Sequence, residues 1–190
     1  VQIGGLQKLS LIDYPGKTAA VIFTQGCGMF CPYCHNPQLV YPELFEKSLD
    51  EDEVLSFLKK RQSLLQGAVI TGGEPMIQRN LKDFIKRVKN LNYAVKLDTN
   101  GAEPEVLKSL IAEKLIDFIA MDIKAPFAKY NLFYKGSVKN IADSISIIKS
   151  SNIPHLFRTT YDKNILTQTD LEDIKNLTAP SKHITQECGK

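Results

Sequence analysis

Ala19-Ala20-Val21-Ile22-Phe23 is a short run of apolar residues, β-branched at its centre, with no polar residue alternating through it. Such a run suits a strand covered on both faces, as in a parallel sheet flanked by helices. Similar runs recur at Ala68-Val69-Ile70, at Tyr93-Ala94-Val95-Lys96-Leu97 and at Phe118-Ile119-Ala120-Met121. Two weaker ones follow, Leu156-Phe157-Arg158-Thr159 and His183-Ile184-Thr185.

Segments of helical period lie between them. Ser48-Leu49-Asp50-Glu51 reads as a capping box, followed by Val54, Leu55, Phe57 and Leu58 on one side. Leu81, Phe84, Ile85, Val88 and Leu91 form a stripe. Pro104 opens a helix with Val106, Leu107, Leu110 and Ile111 inward, and Ser137 opens one bearing Val138, Ile141, Ile145 and Ile148. Leu171, Ile174 and Leu177 make a last short stripe. About six β-α units are therefore expected. Right-handed crossovers would curl their strands into a partial parallel barrel. Before them, Asp13-Tyr14-Pro15-Gly16 reads as a turn ending a short N-terminal segment, residues 1–17. The chain reads as one domain over 1–190, with its core at about 18–186.

Composition excludes several classes. The chain has 190 residues, 43% hydrophobic and 24% charged, and a formal charge of +3. That charge is small and its lysines are scattered, so nucleic acid is not an expected partner. No apolar run approaches a membrane span, and the first residues lack the pattern of a secretory signal. A cytoplasmic protein is expected.

Polar groups concentrate just after the strands. Cys27, Cys31 and Cys34 follow the first; Gly72, Gly73 and Glu74 follow the second. Asp98, Thr99 and Asn100 follow the third, Asp122 and Lys124 the fourth, and Arg158 lies within or just after the fifth. In a parallel barrel these loops converge on one mouth. Three thiolates on one compact loop suit an iron–sulfur cluster with one iron left open. Zinc held by the same cysteines and His35 is the competing reading, although adjacent Cys34 and His35 seldom turn to one ion. Cys188 stands alone near the C-terminus. The diglycine reads either as a plain turn or as backbone open to a ligand's ammonium group, with the Glu74 carboxylate beside it. Lys124 has Asp122, Asp98 or a ligand carboxylate as its alternatives.

The order Cys-x3-Cys-x2-Cys, with Tyr33 before the last Cys, then Gly72-Gly73-Glu74-Pro75, resembles the radical S-adenosylmethionine (SAM) superfamily. Gly4-Gly5-Leu6-Gln7-Lys8, Leu11-Ile12-Asp13-Tyr14-Pro15-Gly16-Lys17 and Cys34-His35-Asn36-Pro37 are similar to the glycyl-radical activating enzymes. Among these, the anaerobic ribonucleoside-triphosphate reductase activating proteins match best. The likeness runs from Ile3 to about Gln186.

The resemblance implies an α/β fold, a partial (β/α)6 barrel of the radical SAM type. It implies an oxidoreductase of anaerobic metabolism that carries a [4Fe–4S] cluster on Cys27, Cys31 and Cys34. S-adenosylmethionine would chelate the fourth iron, be cleaved by an electron from a flavodoxin- or ferredoxin-like donor, and yield a 5′-deoxyadenosyl radical. That radical would take hydrogen from a glycine of a partner glycyl-radical enzyme. By the same resemblance, Tyr33 and His35 lie near the adenine, and Gly72, Gly73 and Glu74 take the amino group. Lys124 meets the carboxylate, Arg158 sits over the ribose side, and Asp98, Thr99 and Asn100 belong to the site. Relatives also hold a monovalent cation; the matching positions are Asp98, Thr99, Ala120 and Asp122. A histidine common after the sixth strand in relatives is replaced here by Thr185-Gln186-Glu187. No Cys-rich insertion or extension is present, so no auxiliary cluster is expected. A small-molecule enzyme of the 7-carboxy-7-deazaguanine synthase type and a zinc-stabilised binding module are the competing functions.

Overall fold

In the computed structural model, which describes residues 1–189, seven strands form one sheet in the simple order β1 to β7. They are β1 (Ile3–Ser10), β2 (Ala19–Thr24), β3 (Gly67–Gly72), β4 (Ala94–Thr99), β5 (Phe118–Asp122), β6 (His155–Tyr161) and β7 (His183–Glu187). From β2 onward every neighbouring pair is parallel. The helices α1 (Glu51–Lys60), α2 (Leu81–Asn90), α3 (Pro104–Ala112), α4 (Val138–Ser150) and α5 (Gln168–Thr178) supply the crossovers. Consecutive parallel order with crossovers of one hand puts every helix on one face of the sheet. The expected partial barrel of six β-α strands is present.

The runs of β2 to β5 became strands because they are largely buried from both sides, whereas β7, mostly exposed, is held by its parallel pairing with β6. Ala20, Ile22, Ala68, Ile70, Val95 and Leu97 pack outward into the main core beneath the helices. Their alternates Ala19, Val21, Val69 and Ala94 face inward with Phe23 and Phe118, around Tyr14. Tyr14 rides on the expected turn, closed by Lys17 N–H donating to Tyr14 O at 3.1 Å with Gly16 at φ +74°. Its ring lies 6.0 Å from that of Phe118, the first residue of β5. It therefore plugs the barrel at the N-terminal ends of the strands, away from the mouth.

The N-terminal segment carries a strand of its own, β1, which pairs antiparallel with β2. One expectation is corrected: Ser48 does not cap α1. Asp50 is the cap, its carboxylate accepting from Asp52 N and Glu53 N, while the Ser48 hydroxyl donates to Gln25 Oε1 at 2.8 Å. Asp50 Oδ1 alone accepts both of these open N–H groups of the helix start, at 2.8 and 3.3 Å, and the α1 first turn is itself acidic. Ser137 caps α4 as expected, accepting from Lys139 N, and Pro104 is the first residue of α3.

Candidate active site

The loop leaving β2 carries the three cysteines, and all three line one cavity of about 290 Å³ at the C-terminal ends of the strands. Cys27 Sγ accepts from Met29 N at 3.4 Å, and Cys34 N donates to Cys31 O at 3.1 Å, so the loop folds on itself. Among the described residues, no three His, Cys, Asp or Glu side chains converge on a point that would hold a single metal ion. Three cysteines of one compact loop lining one cavity suit an iron–sulfur cluster, and His35, next in sequence to Cys34, seldom turns with it to one ion. His35 is exposed on the cavity rim, and Tyr33 is buried in its wall against Phe133, ring centroids 5.7 Å apart.

Burial pushes the Cys27 thiol up to about 11, despite the Met29 N–H, with Glu74 and Cys31 adding to the rise. The Cys31 thiol is raised chiefly by burial too, with Lys124 opposing. Bare, the Cys27 and Cys31 thiols hold their protons, which a bound metal would have to displace. The Tyr33 hydroxyl has no hydrogen-bond partner although it is buried. An orphaned buried donor beside three thiols fits a site built to hold a further polar group.

Gly72 and Gly73 form the facing turn and also line the cavity. Their lack of a side chain has a cause within the fold. A Cβ on Gly72 would lie 2.3 Å from Thr24 N, and one on Gly73 would lie 2.0 Å from Gly26 O. The β3 turn is pressed backbone to backbone against the start of the cysteine loop, with Glu74 N donating to Gly26 O at 2.7 Å. Glu74 itself does not line the cavity. It is buried behind the wall, where it accepts from Met76 N at 3.0 Å, Thr99 Oγ1 at 2.8 Å and Asn100 N at 2.7 Å. Burial raises its pKa to about 7 against the pull of those donors.

Asp98, Asp122 and Arg158 meet on the cavity floor, on β4, β5 and β6. Arg158 donates from Nε to Asp122 Oδ1 at 2.8 Å and from Nη2 to Asp98 Oδ2 at 3.2 Å. Lys124 Nζ takes Asp122 Oδ2 at 3.2 Å. Burial alone would raise Asp122, but Lys124 and Arg158 outweigh it and hold the carboxyl at about 2. Burial likewise works against charge on Lys124 and Arg158, yet Asp122 raises both. Ala120 is buried in mid-β5 and is not on the cavity wall. Gln186 and Ile184 of β7 complete the far side; Cys188 lies beyond it, its N–H on Tyr161 O at 2.8 Å.

Sequence reasoning passed over Lys96. It sits inside an apolar run, only 3% exposed, and its ammonium pairs with Asp98 Oδ1. The signal was there: two residues before Asp98 on a strand means the same face.

The model of the radical SAM superfamily matches residues 21–177, spanning every element from β2 through most of α5. The chain belongs to the radical SAM superfamily. It is 38% identical over 182 residues to a Methanocaldococcus jannaschii protein provisionally named a glycyl-radical enzyme activating enzyme, covering 90% of this chain and 73% of that one. The pyruvate formate-lyase-activating enzyme of Clostridium pasteurianum is 30% identical over 128 residues, 65% of this chain and 52% of its own. Streptococcus suis SuiB bound to S-adenosylmethionine has the same fold, with a TM-score of 0.70 at 12% identity over 90% of this chain and 40% of SuiB. This radical SAM chain is thus an oxidoreductase whose family uses a [4Fe–4S] cluster and S-adenosylmethionine. No helix among its described residues is long and apolar enough to cross a membrane.

Proposed function

We propose that the protein cleaves S-adenosylmethionine reductively and uses the product to place a glycyl radical on a larger partner enzyme. The observation that carries this reading is the shared cavity, where Cys27, Cys31 and Cys34 face the Gly72-Gly73 turn and the Lys124 and Arg158 cations. When bound, the cluster and cofactor supply an electron and a 5′-deoxyadenosyl radical; the chain supplies position and shelter. Cys27, Cys31 and Cys34 hold three irons. The Gly72 and Gly73 carbonyls accept from the cofactor's amino group, while Glu74 fixes the turn from behind through Thr99 and Asn100. Lys124 and Arg158 face its carboxylate side, each steadied by Asp122. Tyr33 and His35 border the adenine. Met29, Val40 and Ile184 give the cavity apolar patches that exclude water.

A glycine of the partner is the hydrogen source in this reading. The name of the M. jannaschii relative supports it, and the N-terminal motifs lean toward an anaerobic ribonucleotide reductase. A flavodoxin- or ferredoxin-like protein delivers the electron. The test is anaerobic incubation of reconstituted protein, reductant, S-adenosylmethionine and an anaerobic ribonucleotide reductase. A glycyl EPR doublet on the reductase supports the assignment. 5′-Deoxyadenosine without any doublet moves the substrate to another glycyl-radical enzyme or a small molecule.

A further inference from the structure

The resemblance led us to expect a monovalent metal ion held by Asp98, Thr99, Ala120 and Asp122. The residues do not fit one. Each of the four carboxylate oxygens already faces a cation of this chain. Lys96 Nζ is on Asp98 Oδ1, Arg158 Nη2 is 3.2 Å from Asp98 Oδ2, Arg158 Nε is 2.8 Å from Asp122 Oδ1, and Lys124 Nζ is 3.2 Å from Asp122 Oδ2.

Two carboxylates against one guanidinium and two ammonium groups leave a net charge of one positive unit. A bare metal ion would double that charge beside Lys96 and Asp98, whose side chains are only 3% and 11% exposed, which is costly. Thr99 is also committed elsewhere. Its hydroxyl donates to Glu74 Oε1 at 2.8 Å and accepts from Gly101 N at 3.0 Å, on the face of β4 opposite Asp98.

Lys96 is the unusual member. It occupies the barrel interior between the apolar plug around Tyr14 and the cavity floor, and its side chain is 3% exposed. A lysine is almost never buried this far unless it is paired. Its flexible stem spans one strand repeat, so its ammonium reaches the carboxylate two residues on.

We propose that Lys96 is a built-in cation: its ammonium stands beside Asp98 where relatives place a monovalent metal ion, so this chain assembles its cofactor site without potassium or sodium. Lys96 is a positioning residue acting through Asp98 and Arg158. The consequence for the cofactor rests on the function proposed above, but the occupancy of the site does not.

Crystals of the wild-type protein and of Lys96→Met, soaked in thallium(I), read the occupancy directly by anomalous scattering. The wild type is expected to show no thallium beside Asp98 or Asp122. Lys96→Met, with an apolar side chain of similar length, is expected to gain a site there. In parallel, S-adenosylmethionine binding to the reconstituted wild type should differ by less than about twofold between potassium and choline chloride at equal ionic strength. For Lys96→Met, potassium should tighten it by roughly tenfold over choline. Thallium at Asp98 in the wild type, potassium-dependent binding by the wild type, or a folded Lys96→Met that takes up no thallium would each overturn the inference. If Lys96→Met does not fold, the two wild-type arms still decide it. None of these outcomes bears on the glycyl EPR signal, so the two readings fail separately.

Discussion

Asn100 and Cys27, 73 residues apart in sequence, meet at the cavity wall, where the Asn100 side-chain amide donates to Cys27 Sγ at 3.7 Å. The contact is long but directed. Asn100 Oδ1 is held by Ala102 N at 3.0 Å, and its own N–H is fixed on Glu74, so the amide is aimed before any iron arrives. A donor on a cluster thiolate favours the reduced, more negative state.

Asn100→Leu should therefore lower the cluster potential. A loss of about 1 kcal/mol in differential stabilisation corresponds to roughly 40 mV for a one-electron couple. Redox titration of the EPR signal checks this, and an unchanged potential would mean the contact carries no charge stabilisation.

Glu74 predicts a pH dependence of stability. Its folded pKa, about 7, lies above the ordinary 4.5, so folding prefers the protonated form. The penalty is absent below about pH 4.5, grows as pH rises, and is complete above about 7, where it reaches on the order of 3 kcal/mol. Urea unfolding of the metal-free protein should show wild type losing stability relative to Glu74→Gln across that window. A pH-independent difference would show that Glu74 does not titrate there.

Gly73→Ala tests the packing of the two loops. The added Cβ meets the Gly26 carbonyl, a backbone atom already bonded to Glu74 N, and neither partner can rotate away. A loss of about 3 kcal/mol is expected, lowering Tm by roughly 10 °C, with poorer iron incorporation because the cysteine loop must shift. Calorimetry and iron analysis read both.

Arg158→Met strips one cation from each of two carboxylates on neighbouring strands. Because the Arg158 side chain is one-third exposed, a loss of about 2 kcal/mol is expected rather than the full cost of a buried pair. Arg158→Lys should recover little of it, since a single ammonium cannot serve both carboxylates through a planar fork. Full recovery by lysine would show that charge alone matters.

Much of this architecture was legible in the chain. Strands buried on both faces must be apolar runs, so β2 to β5 declared themselves, while the exposed, partly polar β7 gave only a weak signal. β1 did not: Ile3-Gly4-Gly5-Leu6-Gln7-Lys8-Leu9-Ser10 has glycines and polar residues, and it is held by pairing with β2, which local pattern cannot report. The loops at strand ends carried the chemistry because a parallel barrel brings them to one mouth. What sequence could not supply was direction. Glu74 follows two cavity glycines yet turns behind the wall toward Asn100, and Lys96, placed among apolar neighbours, points into the barrel. Ser48 met the spacing of a cap, but a nearby carboxylate and a buried glutamine decided otherwise.

The central claim is that three cysteines on one loop hold a cluster with a corner open to S-adenosylmethionine. EPR of the anaerobically reconstituted, dithionite-reduced protein tests it most directly. We expect a [4Fe–4S] signal that changes shape when S-adenosylmethionine is added, accompanied by 5′-deoxyadenosine, with both lost in Cys31→Ala. A fully loaded cluster whose spectrum ignores S-adenosylmethionine and releases no 5′-deoxyadenosine would contradict it.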